Sequence, residues 1–138
     1  MSFRISTAIA LAAMLHSGCS GPTTPTAPAE CTAAITIGVF PNGAPPSPGQ
    51  GLEWRSYFQS TVLPAQASVY VVDVTFAPVG CRQAWTAVSG DTSAVQLSPG
   101  SGSGRSQVEL FMPANVGAQR STTVTIAGQT ASITQAGR

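Results

Sequence analysis

Alternation of apolar and polar residues dominates much of the chain and predicts β-strands. The clearest case is residues 68–76, where every second side chain is large and apolar. Because successive side chains of a strand point to opposite faces, this pattern places one face of the strand in a core. The predicted inward-facing residues are Tyr70, Val72, Val74 and Phe76.

Similar alternation predicts strands elsewhere, separated by turn residues. These strands are residues 34–40, 84–88, 93–97, 107–112, 122–127 and 130–135. The glycine-rich residues 98–104 predict a flexible turn. Gly128–Gln129 predicts a two-residue hairpin of type II′, which has glycine first. One face of this hairpin is predicted to enter the core through Val124, Ile126, Ala131 and Ile133.

The region between the first two strong strands is harder to interpret. Residues 41–51 hold four prolines and three glycines and predict a loop. Residues 52–63 fit two patterns, since Leu52, Trp54, Ser56 and Phe58 would share a strand face, whereas Trp54, Phe58 and Val62 would share a helix face. We favour a strand there.

Short strands separated by glycine and proline, without a convincing long helix, predict an all-β fold. We expect a Greek-key β-sandwich of about seven to eight strands. The folded domain is expected to cover residues 31–138.

The N-terminus has the pattern of a secretory signal peptide. Arg4 precedes an uncharged, mostly apolar run over residues 5–15, and small residues lead to Cys19. This run is shorter than the roughly 20 apolar residues that a membrane span needs. We therefore assign residues 1–18 to a signal peptide, the alternative being a buried first helix.

Small residues directly before Cys19 resemble the lipobox of bacterial lipoproteins, in which the cysteine receives lipid and becomes the new N-terminus. His16 departs from the lipobox, which usually has an apolar residue there. The resemblance implies lipidation of Cys19 and attachment to the membrane of the bacterial cell envelope. The expected location is the outer membrane or surface, and otherwise the protein is secreted or periplasmic. Residues 19–30, rich in proline and threonine, are then an extended tether.

Three cysteines in an exported chain leave one unpaired. Lipidation of Cys19 would leave Cys31 and Cys81 to form a disulfide, worth roughly 3–4 kcal/mol for a loop of this length. A zinc site is the alternative use of two cysteines, but it lacks a histidine partner or a C-x-x-C pair. We expect no metal site.

Charge and composition limit the possible functions. The net charge is +1 and only 8% of residues are charged, so no basic surface for nucleic acid is expected. The single histidine, His16, lies in the signal peptide, and the chain has no lysine, which excludes histidine-dependent and Schiff-base catalysis. The carboxylates that could form a glycosidase pair are interpreted as solvated residues: Glu53, Asp73, Asp91 and Glu109. We expect no catalytic residue, no cofactor and no enzymatic activity.

Several segments, taken together, resemble the BACON domain, an immunoglobulin-like sandwich of bacterial secreted proteins. They include Gly80–Cys81, residues 85–89, the serine–glycine run, residues 113–115, 120–130 and 133–137. The resemblance covers roughly residues 68–137. Ala94 lies where the family usually has a second tryptophan, and residues 41–66 look like an insertion. The family is thought to bind carbohydrate or mucin, which makes a glycan the implied partner.

Sugars commonly stack on aromatic faces beside a few polar groups. Trp54, Arg55 and Tyr57 are the candidate ligand-binding residues, and the competing interpretation packs Trp54 in the core with Phe58. Trp85 is predicted to be a core residue. The alternative to a glycan-binding protein is a structural or adhesive spacer that contacts other proteins through strand edges or the inserted loop.

Overall fold

The computed structural model describes residues 30–45 and 51–138. The predicted signal peptide, the predicted lipidation site at Cys19 and residues 19–29 of the predicted tether lie outside the described residues. The elements are β1 (Thr32–Val39), α1 (Trp54–Ser60), β2 (Val62–Leu63), β3 (Ser68–Ala77), β4 (Ala84–Ser89), β5 (Gln96–Ser98), β6 (Ser101–Ser103), β7 (Ser106–Met112), β8 (Arg120–Ile126) and β9 (Gln129–Gln135).

The strands form two sheets. One has the order β1-β3-β7-β5 and the other β2-β9-β8-β4-β6. All neighbouring strands are antiparallel except β2 and β9, which are parallel. The β3–β7 pair in one sheet and the β4–β8–β9 order in the other match the B–E and C–F–G pairings of an immunoglobulin domain. The predicted all-β sandwich is therefore confirmed.

The core lies between the sheets and follows the predicted alternation. Tyr70, Val72 and Val74 are buried, while Phe76 is half-buried near the end of β3. The hairpin residues predicted to face inward are all buried too: Val124, Ile126, Ala131 and Ile133. Burying one such aliphatic side chain contributes about 1.5–3 kcal/mol. Strand β3 and the β8–β9 hairpin therefore supply much of the stability.

The strand favoured for residues 52–63 is wrong, because most of this segment forms α1. Trp54 and Phe58 are four residues apart, so one face of the helix carries both into the core. Glu53 bridges to Thr36 of β1, and the helix then packs on β9. The segment that contains α1 thus covers the side of the sandwich between these two strands. Within residues 30–45 and 51–138, no helix is long and apolar enough to cross a membrane.

Two turn predictions also need correction. The glycine-rich segment contains the short strand β6, which pairs with β4. In the last hairpin Ile126 pairs with Gln129, so the central residues are Ala127 and Gly128. Both have positive φ, 48° and 77°, as a type I′ turn requires and a type II′ turn does not.

Candidate functional site

Trp54 does not offer a ring to a ligand. Its side chain is 0% exposed, and its indole Nε1 donates a 3.4 Å hydrogen bond to Oε1 of Gln129. The ring also meets Phe58 edge-on, with centroids 6.3 Å apart. The prediction that Trp54 is a sugar-stacking residue is wrong because the helix turns it inward, and the competing core interpretation is confirmed.

The side chains of Tyr57 and Arg55 lie in different environments. Tyr57 is half-buried among Phe40, Phe58 and Tyr70, with ring centroids 5.2–5.9 Å away. Its hydroxyl lies 3.5 Å from that of Tyr70, whose pKa is raised above its usual range by burial and then by this hydrogen bond. Arg55 is exposed, and its Nε donates to Glu53 at 2.9 Å. The three predicted residues therefore do not form one binding surface.

Concave surface occurs instead at one end of the sandwich, which we call the loop end. It is formed by the β3–β4 connection, the turn at Gly104–Arg105 between β6 and β7, and the Ala127–Gly128 turn. The predicted disulfide between Cys31 and Cys81 is present there, with 5.9 Å between the Cα atoms. It joins the residue before β1 to the β3–β4 connection, so the loop end is covalently braced.

Two adjoining clefts open at the loop end. The indole cleft, of about 370 Å³, is lined by Cys31, Ala33, Phe76, Gln83, Ala84, Trp85, Thr86, Ala127 and Gly128. The arginine cleft, of about 470 Å³, is lined by Thr75, Phe76, Val79, Gly80, Cys81, Arg82, Ser103, Gly104 and Arg105. Phe76 lines both clefts, and the disulfide contributes one cysteine to each. Both volumes fall in the range of small-molecule sites.

Trp85 forms the inner wall of the indole cleft and is held in place by the glycine-rich segment. It is 4% exposed, as predicted for a core residue, and its Nε1 donates to the carbonyl of Gly104 at 3.1 Å. A Cβ built on Gly102 would lie 2.5 Å from Cζ2 of Trp85. Glycine is thus needed at residue 102 because the indole lies directly against the backbone.

Arg82 and Arg105 give the arginine cleft its charge. Within the described part of the chain, no salt bridge or side-chain hydrogen bond involves either guanidinium, and no carboxylate lines the cleft. Glu30 precedes Cys31 at this end but lines neither cleft. Sequence reasoning missed both arginines. The available signal was that each arginine closely follows a turn glycine, Gly80 or Gly104, in a chain with few charges.

The carboxylates considered for catalysis lie away from both clefts. Glu53 precedes α1, and Asp91 accepts hydrogen bonds from Ser93 in an exposed turn. Asp73 and Glu109 belong to the outward-facing positions of β3 and β7, where Asp73 accepts a 3.0 Å bond from the Gln107 amide. Within residues 30–45 and 51–138, no group of three or more His, Cys, Asp or Glu side chains is placed to hold a metal ion.

The opposite end of the sandwich has a polar network with a structural role. Asn115 is buried, and its amide donates to the carbonyls of Ala118 and Ala136. Arg120 donates to Oε1 of Gln135 and to the carbonyl of Pro113. These bonds tie the β7–β8 connection to the end of β9. These bonds give Asn115 and Arg120 a structural role.

No protein-family model matches the sequence, and a search of the curated proteins likewise found no match. Among solved structures, the chain is similar to part of a Bacteroides ovatus GH5 xyloglucanase in complex with a XXXG heptasaccharide, with a TM-score of 0.48 and 18% sequence identity. The similarity covers 59% of this chain and 18% of that chain. A likeness of this size says nothing about function.

Proposed function

We propose that the chain is a non-catalytic β-sandwich module that binds a glycan at its loop end. The observation that carries this proposal is the pair of adjoining clefts beside the Cys31–Cys81 disulfide. Each combines an apolar wall from Phe76 with polar side chains, which is the mixture that sugar rings need. The resemblance to the BACON domain supports the same ligand class.

The proposed location is the bacterial cell envelope. Lipidation of Cys19 would anchor the protein, and residues 19–30 would separate the domain from the membrane. The tether enters the described domain at Glu30 and Cys31, which belong to the loop end. A mass measurement of the protein isolated from its host would reveal the lipid adduct on Cys19.

Glycan binding can be located with two tryptophan substitutions of exposed glutamines. Gln83→Trp would fill the indole cleft, whereas Gln59→Trp adds the same bulk on the exposed side of α1. On a glycan array followed by calorimetry, we expect saturable binding for the wild type and for Gln59→Trp, and loss of binding for Gln83→Trp. Loss for Gln59→Trp alone would return the site to α1.

A structural or adhesive spacer is the second candidate. It is favoured by the burial of the aromatic rings, since Trp54, Phe58, Tyr70 and Trp85 all lie in the core and offer no sugar platform. If no neutral or acidic glycan on the array binds the wild type, the glycan proposal fails and the spacer function is supported. Such a spacer would act through contacts with other proteins.

A further inference from the structure

We propose that the arginine cleft recognises an anionic group, the carboxylate or sulfate of an acidic saccharide. This inference rests on the proposed glycan-binding function and names the class of glycan. Arg82 and Arg105 line one cleft, and no acidic side chain of the described chain shares it. Two like charges without a counter-charge beside a concave surface are arranged to attract an anion.

Two of the other described arginines, Arg55 and Arg120, have internal side-chain partners. Arg55 pairs with Glu53 at 2.9 Å, and Arg120 donates three hydrogen bonds, to Gln135, Ser93 and Pro113. The backbone amide of Arg138 bonds to Gly117, at the end of the sandwich opposite the clefts. Helix capping and network formation account for Arg55 and Arg120, but no internal contact accounts for the pair at the loop end.

The shape of the cleft favours a discrete ligand over a membrane surface. Its volume is about 470 Å³, and Phe76 and Val79 add apolar lining beside the two arginines. A planar guanidinium binds carboxylate or sulfate oxygens through two parallel hydrogen bonds, which adds geometric selection to the charge. A sugar ring that carries such an anion can place its apolar face on Phe76 while the anion meets the arginines.

The cleft is also held in a defined shape. Cys81 is fixed by the disulfide, and the amide of Gly104 donates to the carbonyl of Gln83 at 2.9 Å. Arg82 and Arg105 therefore extend from two turns that are tied to each other. A site that is formed before the ligand arrives loses less conformational entropy on binding.

The test uses paired probes that differ in the anion: lactose 3′-sulfate with lactose, and trigalacturonate with galactotriose of the same linkage. We expect the wild type to bind at least one acidic probe about tenfold or more tightly than its neutral partner, because charge-assisted hydrogen bonds are stronger than neutral ones. Arg82→Gln and Arg105→Gln should each lose about tenfold in affinity for that probe. Arg138→Gln removes the same charge at the other end and should bind like the wild type.

The outcomes separate this inference from the general function. Equal affinity for acidic and neutral probes, unchanged by Arg82→Gln, would overturn the acidic-glycan inference and leave glycan binding intact. No binding to any saccharide would overturn both. Binding to phosphatidylglycerol vesicles but to no saccharide, lost in the Arg82→Gln/Arg105→Gln variant, would replace the glycan with a membrane. Both arginines are exposed, so the melting temperature should not change in these variants.

Discussion

The large side chain of Trp54 holds α1 on the sandwich. It lies between β1 and β9, bonded through its indole to Gln129, whose amide in turn donates to the carbonyl of Ala33 at 2.7 Å. One residue of α1 is thereby linked to both sheets. Burial of this side chain stabilises the fold, and a ligand cannot reach the ring.

We therefore predict that Trp54→Ala lowers the free energy of unfolding by about 3–5 kcal/mol, as large aromatic truncations in cores do. Arg55→Ala, the neighbouring exposed residue, should change it by less than about 0.5–1 kcal/mol. Urea unfolding followed by tryptophan fluorescence, which comes from Trp85 alone in Trp54→Ala and from both tryptophans in Arg55→Ala, would measure both. A Trp54→Ala protein as stable as the wild type would contradict the packing of α1.

At the scale of elements, α1 begins because Glu53 caps it. The Glu53 carboxylate accepts bonds from the backbone amide of Ser56 at 2.8 Å, its hydroxyl at 2.9 Å and the Arg55 side chain at 2.9 Å. Burial by itself raises the pKa of Glu53, but these hydrogen bonds outweigh burial and hold it below its ordinary value of 4.5. The cap is therefore stronger when the carboxylate is ionised.

Because the folded pKa is lowered, Glu53 contributes stability that is present above its unfolded pKa and is lost as the pH falls through the folded one. Glu53→Ala should cost about 0.5–2 kcal/mol at pH 7. The difference from the wild type should shrink as the pH falls below about 4.5, the ordinary value for this carboxyl group. Urea unfolding of both proteins from pH 7 to pH 3 would show this convergence, and a difference that stays constant with pH would argue against the charged cap.

Strand β6 depends on close contact between a glycine and an indole. Gly102→Ala would drive a methyl group against Trp85, and we expect a loss of about 1–3 kcal/mol. Gly100→Ala is the matched control, because the nearest atom to a Cβ there is the Ala87 carbonyl oxygen at 3.8 Å. Thermal unfolding of the two variants should place Gly102→Ala well below Gly100→Ala.

Side-chain periodicity was sufficient to predict the long strands and insufficient for the short elements. The alternation over 68–76 identified the inward face of β3, because burial on one side leaves a period of two. The seven residues of α1 were too few to separate a helix from a strand. Ser101–Ser103 has no apolar residue at all, so only its pairing with β4 defines it as a strand.

The candidate site was less predictable for a physical reason. An aromatic-rich segment suits a sugar platform and a core equally well, and the direction of Trp54 depends on contacts with the distant β9. Arg82 and Arg105 are 23 residues apart by number, and only the folded turns bring them to one cleft. In contrast, the Cys31–Cys81 pair was predicted correctly, because the lipobox resemblance set Cys19 aside and left these two cysteines to pair.

At the scale of the whole molecule, the disulfide encloses a loop with a sequence separation of 50 residues. The Cys31→Ser/Cys81→Ser variant should lose about 3–4 kcal/mol, mainly because its unfolded chain is less restricted. Comparing the urea midpoints of the wild type with and without reductant gives an independent value. Reductant should leave the double variant unchanged, and an effect on that variant would point to a cause other than this bond.

The same disulfide also determines how the domain would bear mechanical load. If the protein is anchored through residues 19–30 as proposed, a ligand held by Arg82 would pull on a residue directly bonded to Cys81, and tension would cross to Cys31 and continue towards the anchor. The chain between the two cysteines, including β1, α1 and β3, would be bypassed, as would both hydrogen-bonded sheets. If Arg82 carried most of the load, an adhesive contact under flow would fail when the ligand dissociates, before the sandwich unfolds.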